Sequence, residues 1–292
     1  MNIHAVSNIS FTIEQGDIFA FLGPNGAGKT TTLRILLNII QADSGQIEWD
    51  LNGAKNSLQL AEKIGYLPEE RGLYPDIPII RSLVYLASIR GMNPFEARTA
   101  AMKWLEKLEL ADRSKEKLHA LSKGNQQKIQ FIASILHKPI FAILDEPFSG
   151  LDPLNQEKFI EYIKEINKQG TTILLSAHQM SLVEKIANKV LLINKGKEVY
   201  NGFLSAIYDS FGKNHVIDLM LKTPVQDNIF EPLSQVESIN RVDDYSVRIV
   251  FIQGTEMETV LSELAKIPGI SNITTHRPDL HDIFLHLVKT HN

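Results

Sequence analysis

Between residues 17 and 37 the chain passes from a short apolar strand pattern, Asp17 to Leu22, through Gly23-Pro24-Asn25-Gly26-Ala27-Gly28-Lys29-Thr30 and into a helical pattern, Thr31 to Leu37. The octapeptide has the form G-x-x-x-x-G-K-[ST], and its place between strand and helix makes it a phosphate-binding loop. Glycines let the backbone curl until successive N–H groups converge on one phosphate chain, and the helix N-terminus adds a favourable positive potential. Lys29 is then the cation for the β- and γ-phosphates, and Thr30 supplies a hydroxyl for Mg²⁺. A loop of this kind is built on a parallel sheet covered by helices.

The remainder of the first 212 residues fits that demand. Strand patterns are legible at Ser10 to Ile13, Asp17 to Leu22, Gln46 to Asp50, Ile64 to Leu67, Ile140 to Leu144, Thr172 to Ser176, Val190 to Asn194 and Glu198 to Tyr200, with helical patterns between many of them. About residues 79–138 show amphipathic helical patterns and no convincing strand, so a helical subdomain is expected as an insertion in the sheet domain. After Phe211-Gly212-Lys213-Asn214 the texture changes, and only two of the 17 glycines lie beyond 212. Strands at Val216 to Leu221, Val236 to Arg241, Val247 to Ile252 and Ile270 to Thr275, with helices at Met257 to Ala265 and Leu280 to Val288, predict a small α+β domain over 213–292.

Composition narrows the functional classes. Apolar residues are 43% of the 292, charged residues 22%, and there is no cysteine, which describes a folded globular chain without disulfides. No apolar stretch approaches the roughly 18–20 residues needed to span a bilayer. Residues 213–292 hold 7 basic and 11 acidic residues, and the first 212 are balanced at 23 of each. Neither part offers the basic surface that duplex nucleic acid demands, so no nucleic-acid partner is expected.

Phe141-Ala142-Ile143-Leu144-Asp145-Glu146 is an apolar strand ending in two carboxylates. Beside a phosphate-binding loop, Asp145 is the candidate for the Mg²⁺ shell and Glu146 for polarising the attacking water. Four further motifs stand at familiar spacing: Leu121-Ser122-Lys123-Gly124-Asn125 with Gln126-Gln127-Lys128, Ser149-Gly150-Leu151-Asp152, His178 after Ser176-Ala177, and Gly65-Tyr66-Leu67-Pro68-Glu69-Glu70. Together they resemble the ATP-binding subunits of ABC transporters over residues 3–212. The resemblance implies a P-loop NTPase fold of the ABC ATPase type, ATP and Mg²⁺ as cofactors, and hydrolysis with Glu146 and His178 as the catalytic pair. It implies nucleotide contacts from Gly23, Pro24, Asn25, Gly26, Ala27, Gly28, Lys29, Thr30 and Thr31. It further implies that Ser122, Gly124 and Asp152 serve a nucleotide shared with a second ATP-binding subunit. Membrane-spanning subunits would be separate chains, with this chain peripheral on the cytoplasmic face of the membrane. Leu73-Tyr74-Pro75 and Ile77-Pro78-Ile79 offer apolar groups for docking to them.

The pattern departs from the family at three places. Glu69 stands where the family carries the Q-loop glutamine; it joins Thr30 and Asp145 as a candidate metal residue but, when ionised, only accepts hydrogen bonds. Lys123 and Asn125 replace the commonest glycine and glutamine of the signature. This signature, with Tyr66-Leu67-Pro68-Glu69-Glu70-Arg71-Gly72-Leu73-Tyr74, resembles a bacterial export subgroup that includes sodium-efflux systems. Family members also carry an aromatic residue that stacks on adenine just before the segment matched by Ile3 to Ser7. None is present after Met1; a start upstream of Met1 is expected, with His4 the weaker substitute.

The tail resembles the small domain appended in that subgroup, notably in Pro278-Asp279-Leu280-His281-Asp282-Ile283-Phe284. His276, His281, His286 and His291 recur every five residues, and five helical steps rotate each from the last by about 140°, so they share no face; Asp282 and His286 form a candidate i,i+4 pair. The alternative to a transporter subunit is a soluble ATPase of the same type acting on DNA or ribosomes, which typically carries a long coiled coil or a second ATPase unit.

Overall fold

The computed structural model describes residues 5–51, 53, 57–70, 72–211, 215–252, 254–276 and 279–290. His4, Arg71, Gly212 to Asn214, Pro278 and His291, each used in the sequence reading, lie outside the described residues, as does the side chain of His276. In chain order the elements are β1 (Ile18–Leu22), α1 (Lys29–Leu36), α2 (Ser57–Lys63), β2 (Ile64–Leu67), α3 (Ile79–Ser88), α4 (Pro94–Lys107), α5 (Lys123–Ile135), β3 (Phe141–Asp145), α6 (Pro153–Lys168), β4 (Thr172–Ala177), α7 (Met180–Val183), β5 (Lys189–Asn194) and β6 (Lys197–Phe203). They continue with α8 (Leu204–Phe211), β7 (Val216–Leu221), β8 (Val236–Arg241), β9 (Ser246–Phe251), α9 (Met257–Leu264), β10 (Ile270–His276) and α10 (Leu280–Thr290). Two compact units divide between Asn201 and Gly202. That point lies inside β6, ahead of the change of texture near 212, because α8 falls in the second unit.

The first unit is a six-stranded sheet in the order β2-β3-β4-β1-β5-β6. β2/β3, β3/β4, β4/β1 and β1/β5 all pair in parallel. β1, β3 and β4 are buried along their full length, as expected of strands covered on both faces. One face packs Phe19, Phe21, Leu33, Ile143, Leu174, Leu191 and Ile193 into a common core. Phe11 stacks on Phe19 at 5.5 Å and meets Phe21 edge-on at 5.0 Å. Between Ile79 and Lys138 the described residues form α3, α4 and α5 with short 3₁₀ turns.

Three sequence expectations need correction. Neither Ser10 to Ile13 nor Gln46 to Asp50 forms a strand. The alternation that suggested the first is real, since Phe11 and Ile13 pack toward the core while Ser10 and Thr12 are exposed. Among the described residues no ladder forms there: the Ser10 carbonyl is taken by the side-chain amide of Asn201 at 2.9 Å, so the side-chain period survives without paired backbone hydrogen bonds. Ile79, expected among available apolar groups, is 1% exposed. It opens α3, and its N–H is taken by the carbonyl of Glu116 at 2.9 Å, leaving Tyr74 and Pro75 as the exposed members of that segment.

The second unit is a four-stranded antiparallel sheet, β10-β7-β9-β8. Ile217, Leu219 and Leu221 on β7 alternate with Val247, Ile249 and Phe251 on β9 to make one buried face, closed by Val260 and Leu264 of α9. Asp218 and Arg248 are direct cross-strand neighbours. Their carboxylate and guanidinium meet in a fork at 2.8 and 3.0 Å, and Asp282 of α10 approaches the same guanidinium at 3.4 Å. His286 meets Glu237 at 2.7 Å.

Candidate functional site

A parallel sheet puts the chemistry at the carboxyl ends of its strands, and β1, β3 and β4 end together here in Leu22, Asp145 and Ala177. The loop after β1 turns into α1 at Gly28, which holds φ 104°; a Cβ there would sit 2.5 Å from the carbonyl oxygen of Ala5. Glycine is required on both counts. Lys29, 7% exposed, donates from Nζ to the carbonyl of Gly23 at 2.8 Å and of Pro24 at 3.3 Å. The ammonium is therefore folded back over the loop that the sequence assigns to phosphate. Pro24, Asn25 and Gly26 form its exposed crest, and Ala27 is buried beneath.

β3 delivers the acids. Asp145 is 0% exposed, accepts from the hydroxyl of Ser176 on β4, and receives Thr30 Oγ1 at 3.4 Å on the same Oδ1. Its other oxygen, Oδ2, is buried with no partner among the described residues. Burial pushes its carboxyl above the ordinary range, only partly offset by the Ser176 and Thr30 bonds. Glu69 Oε2 lies 3.4 Å from the Thr30 hydroxyl. A buried orphan carboxylate oxygen, a hydroxyl and a second carboxylate are hard oxygen donors of the kind Mg²⁺ takes together with phosphate oxygens, so these residues fit that ion.

Glu146 follows in a left-handed backbone conformation, φ 49°, which costs a non-glycine residue of order 1–3 kcal/mol. Several bonds hold it there: its N–H donates to Ser176 Oγ at 3.0 Å, and its carbonyl receives Ser149 N at 3.1 Å and Gln127 Nε2 at 3.3 Å. The turn aims the carboxylate back into the site, with Oε1 3.8 Å from Lys29 Nζ and Oε2 2.9 Å from His178 Nδ1. Burial raises its pKa, opposed by the neighbouring His178 and Lys29. One acid, one base partner and one phosphate-directed cation thus converge from three strand ends.

Thr30 and Thr31 continue the loop into the first turn of α1. The remaining sequence-assigned residues gather at two other helix starts. Ser122 caps α5, accepting from Asn125 N at 3.4 Å. Gly124 abuts the loop before α6 so closely that a Cβ would stand 2.9 Å from the Gly150 carbonyl. Asp152 caps α6 through Asn155, N–H at 2.9 Å and side-chain amide at 2.6 Å. Ser122 and Asp152 are thus both helix N-caps in this chain. As a site residue, sequence reasoning missed Ser176, whose hydroxyl joins Asp145 to the backbone of Glu146; the signal for it is a hydroxyl that follows the apolar run Ile173 to Leu175 of β4. It also passed over Gln127 as a positioned group and left out Gln130 altogether.

Comparison with known proteins gives the family and the fold. Residues 6–149 match the family model described as ABC transporter. The chain is 39% identical to an uncharacterized ABC transporter ATP-binding protein, YhaQ, of Bacillus subtilis over 97% of this chain and 93% of that one. It is 28% identical to the linearmycin resistance ATP-binding protein LnrL of the same organism, over 97% and 93%. The fold superposes on a solved ATP-binding subunit of an ABC transporter with a TM-score of 0.65 at 28% identity, covering 71% of this chain and 87% of that one.

Proposed function

This chain belongs to the ABC transporter family as an ATP-binding subunit, and from that premise we propose that it hydrolyses ATP to power an exporter whose membrane-spanning part is made by other chains. The observation that carries the chemistry is the convergence on Glu146: a carboxylate of raised pKa between Lys29 Nζ and His178 Nδ1, at the end of the strand that also carries Asp145. ATP binds with its phosphates along Gly23 to Thr31, where backbone N–H groups and Lys29 meet the negative charge. Thr30, Asp145 and Glu69 would hold Mg²⁺, which would neutralise charge on the phosphates when bound. Ionised Glu146 accepts a hydrogen bond from the attacking water and orients it toward the γ-phosphate. His178 keeps that carboxylate fixed and has its second ring nitrogen left for the phosphate oxygens or the water.

The helix start at Ser122–Gly124 serves the nucleotide of a second ATP-binding subunit, since N–H groups at a helix N-terminus attract phosphate; Asp152 joins that contact on the family resemblance. A dimer, of like or unlike chains, would close around ATP and reopen after hydrolysis. Among the described residues no helix is long and apolar enough to cross a membrane; the seat we propose is peripheral, on the cytoplasmic face. The export direction draws support from the resistance function printed for LnrL. Exposed Tyr74, Tyr85 and Ile89 beside the cleft lined by Tyr66, Leu73 and Leu86 form the surface we assign to the membrane subunits.

The test is purification of the tagged chain from native membranes, with mass spectrometry and an ATPase assay of what co-purifies. A polytopic membrane protein and vanadate-sensitive hydrolysis are expected. Recovery with ribosomal or chromosomal proteins alone would overturn the transporter assignment.

A further inference from the structure

Two glutamines on α5 do the same thing to two different loops. Gln127 and Gln130 are each 3% exposed and, three residues apart, lie on one face of the helix. Gln127 donates from Nε2 to the carbonyls of Glu146 and Pro147 at 3.3 and 3.1 Å. Gln130 donates from Nε2 to the carbonyls of Pro68 and Glu70 at 2.9 and 3.0 Å. The residue between those two carbonyls is Glu69.

Glu69 is solvent-exposed and sits on a loop, where backbone and rotamer freedom would ordinarily scatter a carboxylate. Clamping the carbonyls on both sides removes the backbone part of that freedom. With the loop so held, Oε2 lies 3.4 Å from Thr30 Oγ1, and the same hydroxyl lies 3.4 Å from Asp145 Oδ1. We infer that Gln130 is a positioning residue that presents Glu69 as a second carboxylate of the metal–nucleotide site, so that the site carries two negative charges where an amide at position 69 would leave one. The inference rests on the assignment of Thr30 and Asp145 to the metal. Its consequence is specific: the chain holds a divalent cation more firmly than one carboxylate and a hydroxyl allow, since hard cations favour anionic oxygen. Because Gln130 lies on the helix opened by Ser122 and Gly124, that carboxylate is tied to the same rigid element as the proposed second-subunit contact.

The probe is Mn²⁺, titrated by electron paramagnetic resonance into the full chain, alone and with a non-hydrolysable ATP analogue. Glu69→Gln, an exposed isosteric change, removes an anionic oxygen from the site and should weaken Mn²⁺ binding by at least the roughly tenfold that loss of a group orienting a metal ligand costs. Gln130→Met keeps the side-chain volume and removes the donor. It should weaken Mn²⁺ by a comparable factor, raise the Mg²⁺ concentration for half-maximal hydrolysis, and recover kcat at saturating Mg²⁺. In the Glu69→Gln background it should have no further effect on Mn²⁺. Wild-type Mn²⁺ affinity in Glu69→Gln would overturn the inference while leaving the ATPase assignment standing. So would a loss of kcat in Gln130→Met that Mg²⁺ does not restore, since that marks a structural role alone. Failure of the unaltered chain to bind Mn²⁺ with the analogue would overturn the site assignment and the inference together.

Discussion

Glu146 in the first unit and Glu263 in the second are both little exposed, at 7% and 5%, and their surroundings drive them in opposite directions. Glu263 accepts from the Lys266 ammonium at 2.6 Å, from Ser234 N–H at 2.8 Å and from the Ser234 hydroxyl at 3.1 Å, and these bonds lower its pKa, Lys266 foremost. Glu146 faces Lys29 only at 3.8 Å and a histidine, and burial raises it. The same contrast extends to Asp145, with its orphan buried oxygen, and Asp218, locked in a fork with Arg248. Carboxylates that have all their bonds serve the fold. Carboxylates buried short of partners are held ready for something that arrives, which is the physical mark of a reaction site.

Removing the phosphate cation should have the largest effect. Lys29→Ala should cut ATP affinity by about two orders of magnitude or more, because charge-assisted bonds are worth about 1.5–3 kcal/mol each; isothermal titration reads it, and wild-type affinity would mean the loop does not use its lysine. Next comes His178→Ala, expected to lower kcat about 10²-fold or more through loss of the group that fixes Glu146, with nucleotide binding little changed. A pH profile sharpens the contrast further. The proposed mechanism requires ionised Glu146, whose pKa is raised by burial, so the rate should begin to fall at a pH above the ordinary carboxylate range; a fall confined to lower pH would place another group in that role.

The smallest effect belongs to the second unit. Glu263 has a lowered folded-state pKa, so it contributes stability above its unfolded value near 4.5 and loses that contribution as pH falls through the folded value. Glu263→Gln should therefore lower Tm by a few degrees at neutral pH, with the gap closing as the pH falls below that window. Circular-dichroism melts at two pH values check the sign. Glu146→Gln should show the reverse: a raised carboxylate costs stability above its unfolded pKa, so the variant should melt no lower than the parent at neutral pH.

The parts of the molecule legible in the sequence are those fixed by local pattern. β1, the 23–30 loop and α1 were readable from one octapeptide between a strand and a helix, and the four strands of the second unit fall within a residue of their expected bounds. Pairing was less legible, because alternation at Ser10 to Ile13 reports which side chains face the core and says nothing of whether the backbone there joins a ladder. The acids at 145 and 146 were legible by position, while their protonation was not, since burial depends on the whole sheet. Gln127 and Gln130 escaped for a related reason. Glutamine on a helix ordinarily marks the solvent face, and only the folded chain brings the carbonyls of 68, 70, 146 and 147 to their amides.

The central claim is that Glu146 orients the water that attacks ATP, and the most direct test is Glu146→Gln followed through a single turnover with radiolabelled MgATP. The account predicts ATP bound as tightly as by the parent chain and cleaved about 10²–10⁴-fold more slowly, the usual contribution of a positioned base. Cleavage at the parent's rate, with binding intact, would contradict it.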